Sequence, residues 1–204
     1  MSTKEFFRKI RFYRINKINK KHSRGRTLIC NNCTGAMVLH DSGLRFNTPT
    51  VNLFMYPEYY IEYLENLQYY LNTTLEDITN DSSYPIGLLG KNVRIDFLHY
   101  PSFVKALTKW KQRSTRVDLE NLYIVLVERD GCTEDILFRF DKLPYKNKVA
   151  LVHKPYPKIK CAYVMPNCAE ENQLRQIIDY KGHLGNRYYD LFNWTNFLNI
   201  KIEK

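Results

Sequence analysis

The chain has 204 residues, of which 44% are hydrophobic and 14% aromatic, so it can bury a full core and is not of the disordered class. It contains no run of eighteen apolar residues, and its first residues lack the apolar segment of a secretory signal. The composition therefore predicts a cytoplasmic protein that neither spans a membrane nor is exported by that route.

The first 26 residues carry nearly all of the net charge. They contain ten basic side chains against the one carboxylate of Glu5, which gives +9 of the formal net charge of +10. On a helix, the apolar residues of this arm form a stripe flanked by cations: Phe6, Phe7, Ile10, Tyr13 and Ile18. This pattern is typical of a helix on an anionic membrane surface, where each nearby Lys or Arg contributes about 1 kcal/mol. A core-docking helix with a basic outer face is the alternative. Nucleic-acid binding is disfavoured because the rest of the chain is nearly neutral and has no matching motif.

Beyond the arm, apolar strands alternate with amphipathic helices. The predicted strands are 27–30, 50–55, 93–98, 122–127, 148–152 and 161–165. The predicted helices are one that begins near residue 34 and ends before Ser42-Gly43, then 58–71, 102–116 with Ser102 as its cap, 133–143, 170–180 and 187–198. Loops are expected at 72–74 and 80–85.

This alternation predicts an α/β fold with a mostly parallel sheet covered by helices on both faces, three layers deep. Residues 27–204 are expected to form one such domain, and residues 1–26 a separate basic amphipathic arm. The order of the strands stays open.

Two strand-to-helix junctions share one design. Each leads from an apolar strand through Asn or Asp into the same dipeptide, Cys33-Thr34 in one and Cys132-Thr133 in the other. Ligands of α/β proteins collect at the carboxyl ends of strands, where helix N-termini offer free N–H groups and a positive dipole end. The two junctions therefore predict one shared site. The alternative is that the threonines cap helices and the cysteines are small buried side chains.

The candidate catalytic residues are Cys33, His99, Asp130 and Cys132. A helix N-terminus favours the thiolate, so we expect a depressed pKa for Cys33, whereas the neighbouring Asp130 raises the pKa of Cys132. If the strand 93–98 joins the same sheet, His99 lies on the same edge as the two junctions and suits a general base, with Asp130 fixing its tautomer or binding a sugar hydroxyl. A packed histidine and an aspartate that stabilises a turn are the alternatives.

Four residues are predicted to contact the substrate: Asn32, Thr34, Arg113 and Thr133. Three of them stand at the two junctions. Arg113 lies one turn before Arg116 on the predicted helix 102–116, where two guanidinium groups suit a phosphate or a sugar carboxylate. A solvated helix face is the alternative for these arginines.

The five cysteines are an odd number, which in a cytosolic protein indicates reduced thiols. Cys30-x-x-Cys33 is half of a zinc motif, but Cys161 and Cys168 do not supply the second pair. A thioredoxin-type pair opens a helix, whereas Cys30 still belongs to the strand. We therefore expect neither a metal site nor a tightly bound cofactor.

Eight ordered motifs carry a family resemblance. They are NNCTG at 31–35, LRFNTPTVNLF at 44–54, YPIGLL at 84–89, FLHY at 97–100, KWKQR at 109–113, RDGCT at 129–133, FDKLP at 140–144 and NKV at 147–149. From about residue 27 to residue 200 the chain resembles an uncharacterised bacterial family that is encoded among capsule and exopolysaccharide biosynthesis genes, with members often described as polysaccharide acyltransferases. The resemblance implies a role in surface-polysaccharide biosynthesis and supplies no mechanism.

Three functional classes follow. The favoured one is an O-acyltransferase that uses acetyl-CoA to modify a hydroxyl of a polysaccharide or lipid-linked sugar at the cytoplasmic face of the membrane, because thiols and a histidine suit acyl transfer. A glycosyltransferase or other sugar-nucleotide enzyme is the alternative, although the sequence lacks an Asp-x-Asp motif and a glycine-rich phosphate loop. The third class is a non-catalytic protein that assembles the polysaccharide enzymes, for which the basic arm is the evidence.

Overall fold

The computed structural model describes residues 2–22 and 25–200, so residues 1, 23 and 24 of the predicted arm lie outside it. The helices are α1 (Thr3–His22), α2 (Thr34–Asp41), α3 (Pro57–Glu65), α4 (Leu67–Asn72), α5 (Phe103–Ser114), α6 (Glu134–Lys142) and α7 (Trp194–Phe197). The strands are β1 (Thr27–Cys30), β2 (Leu75–Asp77), β3 (Ile86–Leu89), β4 (Val93–Asp96), β5 (Leu122–Val127), β6 (Asn147–Val152), β7 (Ala162–Val164), β8 (Ala169–Glu170) and β9 (Gln173–Leu174). A 3-10 turn lies at Tyr188–Leu191.

The centre of the fold is a parallel sheet with the strand order β1-β5-β6-β7. Every residue of β1 and β5 is buried, as expected of strands covered on both faces. Ile124 and Leu126 pack with α3, α5 and α6 on one face, and Val125 and Val127 pack with α2 and the C-terminal segment on the other. The predicted α/β fold of three layers, with a mostly parallel sheet, is confirmed.

A small antiparallel sheet of β2, β3 and β4 extends the layer that contains α3 and α5. The prediction that residues 93–98 join the main sheet is therefore wrong. The turn after β3 contains Gly90 at φ +62, a backbone conformation that glycine adopts without strain, and it returns the chain so that Leu89 pairs with Val93. This local hairpin gives β4 its partner.

Residues 50–55 do not form the predicted strand. Asn52 has φ +62, which interrupts an extended backbone, and a single bridge from Phe54 to Asp96 is what joins this segment to β4. The predicted helix 58–71 is likewise divided at Asn66, between α3 and α4.

The cap predicted at Ser102 is confirmed for α5, and Thr133 caps α6, which was the alternative to its predicted contact with a substrate. The Ser102 hydroxyl accepts a hydrogen bond from the Lys105 backbone N–H at 3.4 Å, and the Thr133 hydroxyl accepts one from the Ile136 N–H at 3.3 Å. These bonds fix where each helix begins.

The predicted helices 170–180 and 187–198 are wrong. The segment instead forms the hairpin of β8 and β9, an irregular stretch, the 3-10 turn and α7. Glu171 at the hairpin turn has φ +51, which a helix does not allow. The apolar side chains that suggested a helical face, including Leu174, Ile177 and Trp194, are buried in the cluster that covers the sheet.

Helix α1 docks on the body through polar groups. The guanidinium of Arg8 donates to the Asp41 carboxylate at 2.8 Å, to the Asp190 carboxylate at 2.7 Å and to the Gly185 carbonyl at 2.8 Å. Farther along α1, the Asn19 amide donates to the Ser42 carbonyl at 2.6 Å. Among the described residues, no helix is both long and apolar enough to cross a membrane.

Candidate functional site

The carboxyl ends of β1 and β5 are joined by a buried side chain. The Asn31 amide donates to the Val127 carbonyl at 3.2 Å, and its oxygen accepts from the Val127 N–H at 2.9 Å. Beyond the end of β1, these two side-chain bonds take the place of the backbone hydrogen bonds that would pair the next residue with β5. They hold the loop after β1 against the loop after β5, so the two predicted junctions are neighbours.

Asn32 and Cys33 lead from β1 into α2. The Asn32 side-chain oxygen accepts a hydrogen bond from the Thr34 N–H at 3.0 Å, and Cys33 occupies the N-cap position. A Cβ atom at Gly35 would stand 2.6 Å from the Cβ of Cys30, so glycine permits this close approach of helix and strand. The Cys33 sulfur lies 3.7 Å from the Leu53 carbonyl oxygen.

Asp130 stands in the loop after β5 with φ +57, a left-handed conformation that is uncommon for a residue with a side chain. Its N–H donates to the Gln173 side chain at 2.9 Å, and its carboxylate accepts from Arg129 Nε at 2.8 Å. Such backbone outliers concentrate at functional sites. The conformation turns the chain sharply at the carboxyl end of β5.

His99 reaches the same region from the antiparallel sheet. Paired backbone hydrogen bonds of 2.8 and 2.9 Å between Phe54 and Asp96 attach β4 to the segment that passes over Cys33. The exposed His99 follows β4 in the next loop, and its neighbour Tyr100 donates to the Val51 carbonyl at 3.0 Å. The prediction placed His99 on the edge of the parallel sheet, which is wrong, yet the residue lies at the predicted junction.

These segments enclose a cavity of about 400 Å³. Its lining residues are Asn32, Cys33, Leu53, Phe54, Tyr56, Leu98, His99, Arg129, Asp130, Gln176 and Ile178. Three of the four predicted catalytic residues therefore share one cavity with the predicted substrate contact Asn32. We call this cavity the junction cavity.

The other four predicted site residues lie outside the lining of the junction cavity, each for a visible reason. Thr34 is 1% exposed, and Thr133 caps α6. Arg113 donates to the Tyr100 hydroxyl at 2.6 Å and lies over the Phe46 ring, so it braces the loop beside His99. Cys132 packs against the core on the α6 side.

The thiols of the site are held in the neutral form. Burial raises the pKa of the Cys33 thiol to about 11, and burial together with the Glu128 carboxylate raises that of Cys132 to about 12. The expected depression of the Cys33 pKa is therefore wrong, because burial desolvates the thiolate. The rise in the pKa of Cys132 was predicted, but the carboxylate that contributes to it is Glu128 rather than Asp130.

We expect Cys33 to be alkylated slowly by iodoacetamide at pH 8 and faster as the pH rises toward 11. With a pKa of about 11, roughly one Cys33 thiol in a thousand is a thiolate at pH 8. The rate should be followed by mass spectrometry of the peptide that contains Cys33, with Cys33→Ser as the control that identifies the adduct. A rate that already reaches its plateau below pH 8 would contradict this assignment.

A buried cluster centred on Glu128, the residue before Arg129, was not predicted from the sequence. Glu128, 1% exposed, accepts hydrogen bonds from the His153 N–H at 2.9 Å, from the Tyr156 hydroxyl at 2.7 Å, and pairs with His153 Nδ1 at 2.6 Å. Glu128 directly follows β5 and His153 directly follows β6. The rule that selected Asp130, a polar residue just after an apolar strand, would also have selected this pair.

Tyr56, Arg129 and Gln176 are the lining residues with polar groups that were not predicted. Arg129 is adjacent to Asp130, whereas Gln176 lies in the segment that was predicted as a helix.

Within residues 2–22 and 25–200, no three His, Cys, Asp or Glu side chains come together as a group that could hold a metal ion.

Comparison with known proteins identifies the family. Residues 3–199 match a model described as Domain of unknown function (DUF1919), a match that includes α1 as well as the sheet and the junction cavity. An uncharacterised protein of Haemophilus influenzae is 41% identical over 180 residues, which cover 88% of this chain and 87% of the relative. The chain therefore belongs to the DUF1919 family.

Proposed function

We propose that the protein is an O-acyltransferase of surface-polysaccharide biosynthesis that works at the cytoplasmic face of the membrane. The observation that carries the proposal is the junction cavity. Three of the eight motifs that resemble the capsule and exopolysaccharide family, at 31–35, 97–100 and 129–133, are far apart in the chain and contribute Cys33, His99 and Asp130 to its lining. A volume of about 400 Å³ lies within the range of small-molecule sites.

The chemistry that suits this lining is direct transfer assisted by a base. His99 accepts the proton of a sugar hydroxyl while the hydroxyl oxygen attacks the thioester carbonyl carbon of acetyl-CoA. The new carbon–oxygen bond forms the ester, the carbon–sulfur bond breaks, and the departing CoA thiolate takes up the proton that His99 had accepted. The Asn32 oxygen already accepts from the Thr34 N–H, which leaves its NH2 group to donate to the developing oxyanion.

Asp130 and Cys33 take other parts in this scheme. The carboxylate of Asp130, held by Arg129 Nε, can accept from a hydroxyl of the sugar and so orient it. A covalent route through Cys33 requires the thiolate, and the pKa of about 11 opposes that form. Cys33 therefore enters the scheme as a neutral lining group.

A glycosyltransferase or other sugar-nucleotide enzyme is the second candidate. The specific observation in its favour is Arg129, a cation in the lining of the junction cavity that suits a phosphate group. The third candidate is a non-catalytic protein that assembles polysaccharide enzymes, and it has in its favour the exposed face of α1, which is separate from the cavity.

Thermal unfolding with a panel of ligands separates these candidates. Acetyl-CoA at a hundredfold its dissociation constant should add about 2.7 kcal/mol of stability, which corresponds to a rise in Tm of roughly 5–10 °C for a chain of this size. The matched controls are CoA without the acetyl group and the Arg129→Gln variant. A shift with a nucleotide sugar and none with acetyl-CoA would favour the glycosyltransferase. Shifts with neither would favour the assembly protein.

A further inference from the structure

Helix α1 buries polar side chains against the body and exposes several of its large apolar ones. Its buried residues include the polar Arg8 and Asn19, which are 5% and 3% exposed. Phe12 and Ile15 are half-buried against the body, whereas three other large apolar side chains face solvent, with exposures of 48% for Phe6, 58% for Ile10 and 64% for Tyr13. An outward stripe of this kind on a surface helix marks an interaction site, because exposed apolar area has no stabilising role in an isolated chain.

The contacts of Arg8 fix this orientation. Its guanidinium bonds both buried carboxylates, Asp41 and Asp190, so rotation of α1 about its axis would leave three buried charges without partners. On the opposite side of the helix axis from Arg8, residues 6, 10 and 13 form one apolar row at helical spacing, and Lys17 follows one turn later. The row therefore stays turned outward whether or not a partner is bound.

Cations stand beside the apolar row. Lys9 and Lys17 are exposed on the same part of α1, and Phe7, 41% exposed, widens the apolar surface. By sequence, the first 26 residues carry +9 of the formal net charge of +10, and Arg8 among them is paired with Asp41 and Asp190. Aromatic and aliphatic side chains beside lysines form the pattern of a helix that lies in the interface of an anionic bilayer.

We propose that the outward face of α1 docks the protein on an anionic lipid bilayer, with Phe6, Phe7, Ile10 and Tyr13 inserted between headgroups. A second copy of the chain would bring like charge against like charge, so self-association fits this face poorly. A nucleic acid would engage the lysines and leave the apolar row exposed. An anionic bilayer can contact both the lysines and the apolar row. This proposal does not depend on the transfer chemistry proposed for the junction cavity.

Vesicle sedimentation tests the docking face with the full chain. Vesicles of phosphatidylcholine containing about a third phosphatidylglycerol should bind the protein, vesicles of phosphatidylcholine alone should bind it weakly, and added salt should weaken binding. Lys9→Gln together with Lys17→Gln should lower the partition coefficient about 25-fold, since each cation contributes about fivefold. Ile10→Ser should lower it by about fivefold or more.

Val104→Ser on α5 is the matched control, because Val104 is 70% exposed and lies on another helix. It should bind vesicles like the unaltered chain. Circular dichroism and melting curves of every variant should be unchanged, since the substituted side chains face solvent. The proposal is overturned if anionic vesicles bind none of the proteins, or if they bind Ile10→Ser as tightly as the unaltered chain. It is equally overturned if sedimentation velocity shows a dimer that Ile10→Ser abolishes.

Discussion

Replacement of Arg8 by alanine is expected to lower the free energy of unfolding by about 3–5 kcal/mol, because it removes the buried cation that two buried carboxylates share. The side chains of Asp41 and Asp190 are each 8% exposed, and that of Arg8 is 6% exposed. The Tyr189 hydroxyl also bonds this cluster, donating to Asp41. The loss should appear in urea denaturation as a lower midpoint with a similar slope.

Arg11→Ala is the matched control for this prediction. Arg11 is 50% exposed and its guanidinium lies 3.8 Å from the Asp190 carboxylate, so its loss should cost about 1 kcal/mol or less. The loss of unfolding free energy in Arg8→Lys should lie between those of Arg8→Ala and Arg11→Ala. The lysine ammonium keeps the positive charge but cannot reproduce the planar, forked hydrogen bonding of a guanidinium. If Arg8→Ala unfolds within 1 kcal/mol of the unaltered chain, α1 is not part of the cooperative unit.

The same cluster changes how an arm deletion should be interpreted. From the charge pattern alone, residues 1–26 should be removable with the fold intact, and vesicle binding should be lost. In the structure, deletion also removes Arg8 from Asp41 and Asp190, so it should destabilise the body as Arg8→Ala does. Substitutions on the exposed face of α1 are therefore the sharper test of membrane docking.

Elements with strong local signals were predicted well. The parallel strands β1, β5, β6 and β7 are short apolar runs, and α5 and α6 have an amphipathic face and a Ser or Thr cap. In these segments the hydrophobic pattern, the cap residues and the turn residues all indicate the same structure. That agreement is why the fold class could be read from the sequence.

Failures occurred where long-range contacts decide the structure. The periodic apolar residues near Leu174 and Trp194 match a helix pattern. In the structure they pack individually against the sheet instead of forming one face of a helix. Arg8 looked like one more surface cation of the arm, and nothing local to it indicates Asp190, which is 182 residues away. A buried ion cluster of this span leaves no periodic trace in the sequence.

The junction cavity shows both outcomes together. The proximity of Cys33 and Asp130 followed from the parallel pairing of β1 and β5. His99 was expected beside them for a wrong reason, since β4 belongs to the antiparallel sheet and reaches the cavity through Phe54. The raised pKa of Cys33 depends on how deeply the loop at residue 53 covers the sulfur, which the sequence does not indicate.

His99→Gln is expected to lower kcat/KM for acetyl transfer by about 10²- to 10⁴-fold, the usual contribution of a general base. The free energy of unfolding should change by about 0.5 kcal/mol or less, because His99 is exposed. Transfer can be measured as CoA release from acetyl-CoA in the presence of capsular oligosaccharide.

Two further variants decide which residue carries the chemistry. Cys33→Ser should retain activity within about tenfold, since a thiol with a pKa of about 11 is not the nucleophile at neutral pH. The activity of Asp130→Asn should lie between those of Cys33→Ser and His99→Gln. Asparagine tolerates the left-handed backbone at φ +57, so the variant loses only the negative charge. The opposite pattern, with Cys33→Ser inactive and His99→Gln active, would mean that a substrate bound in the junction cavity lowers the thiol pKa and that transfer proceeds through an acyl-cysteine.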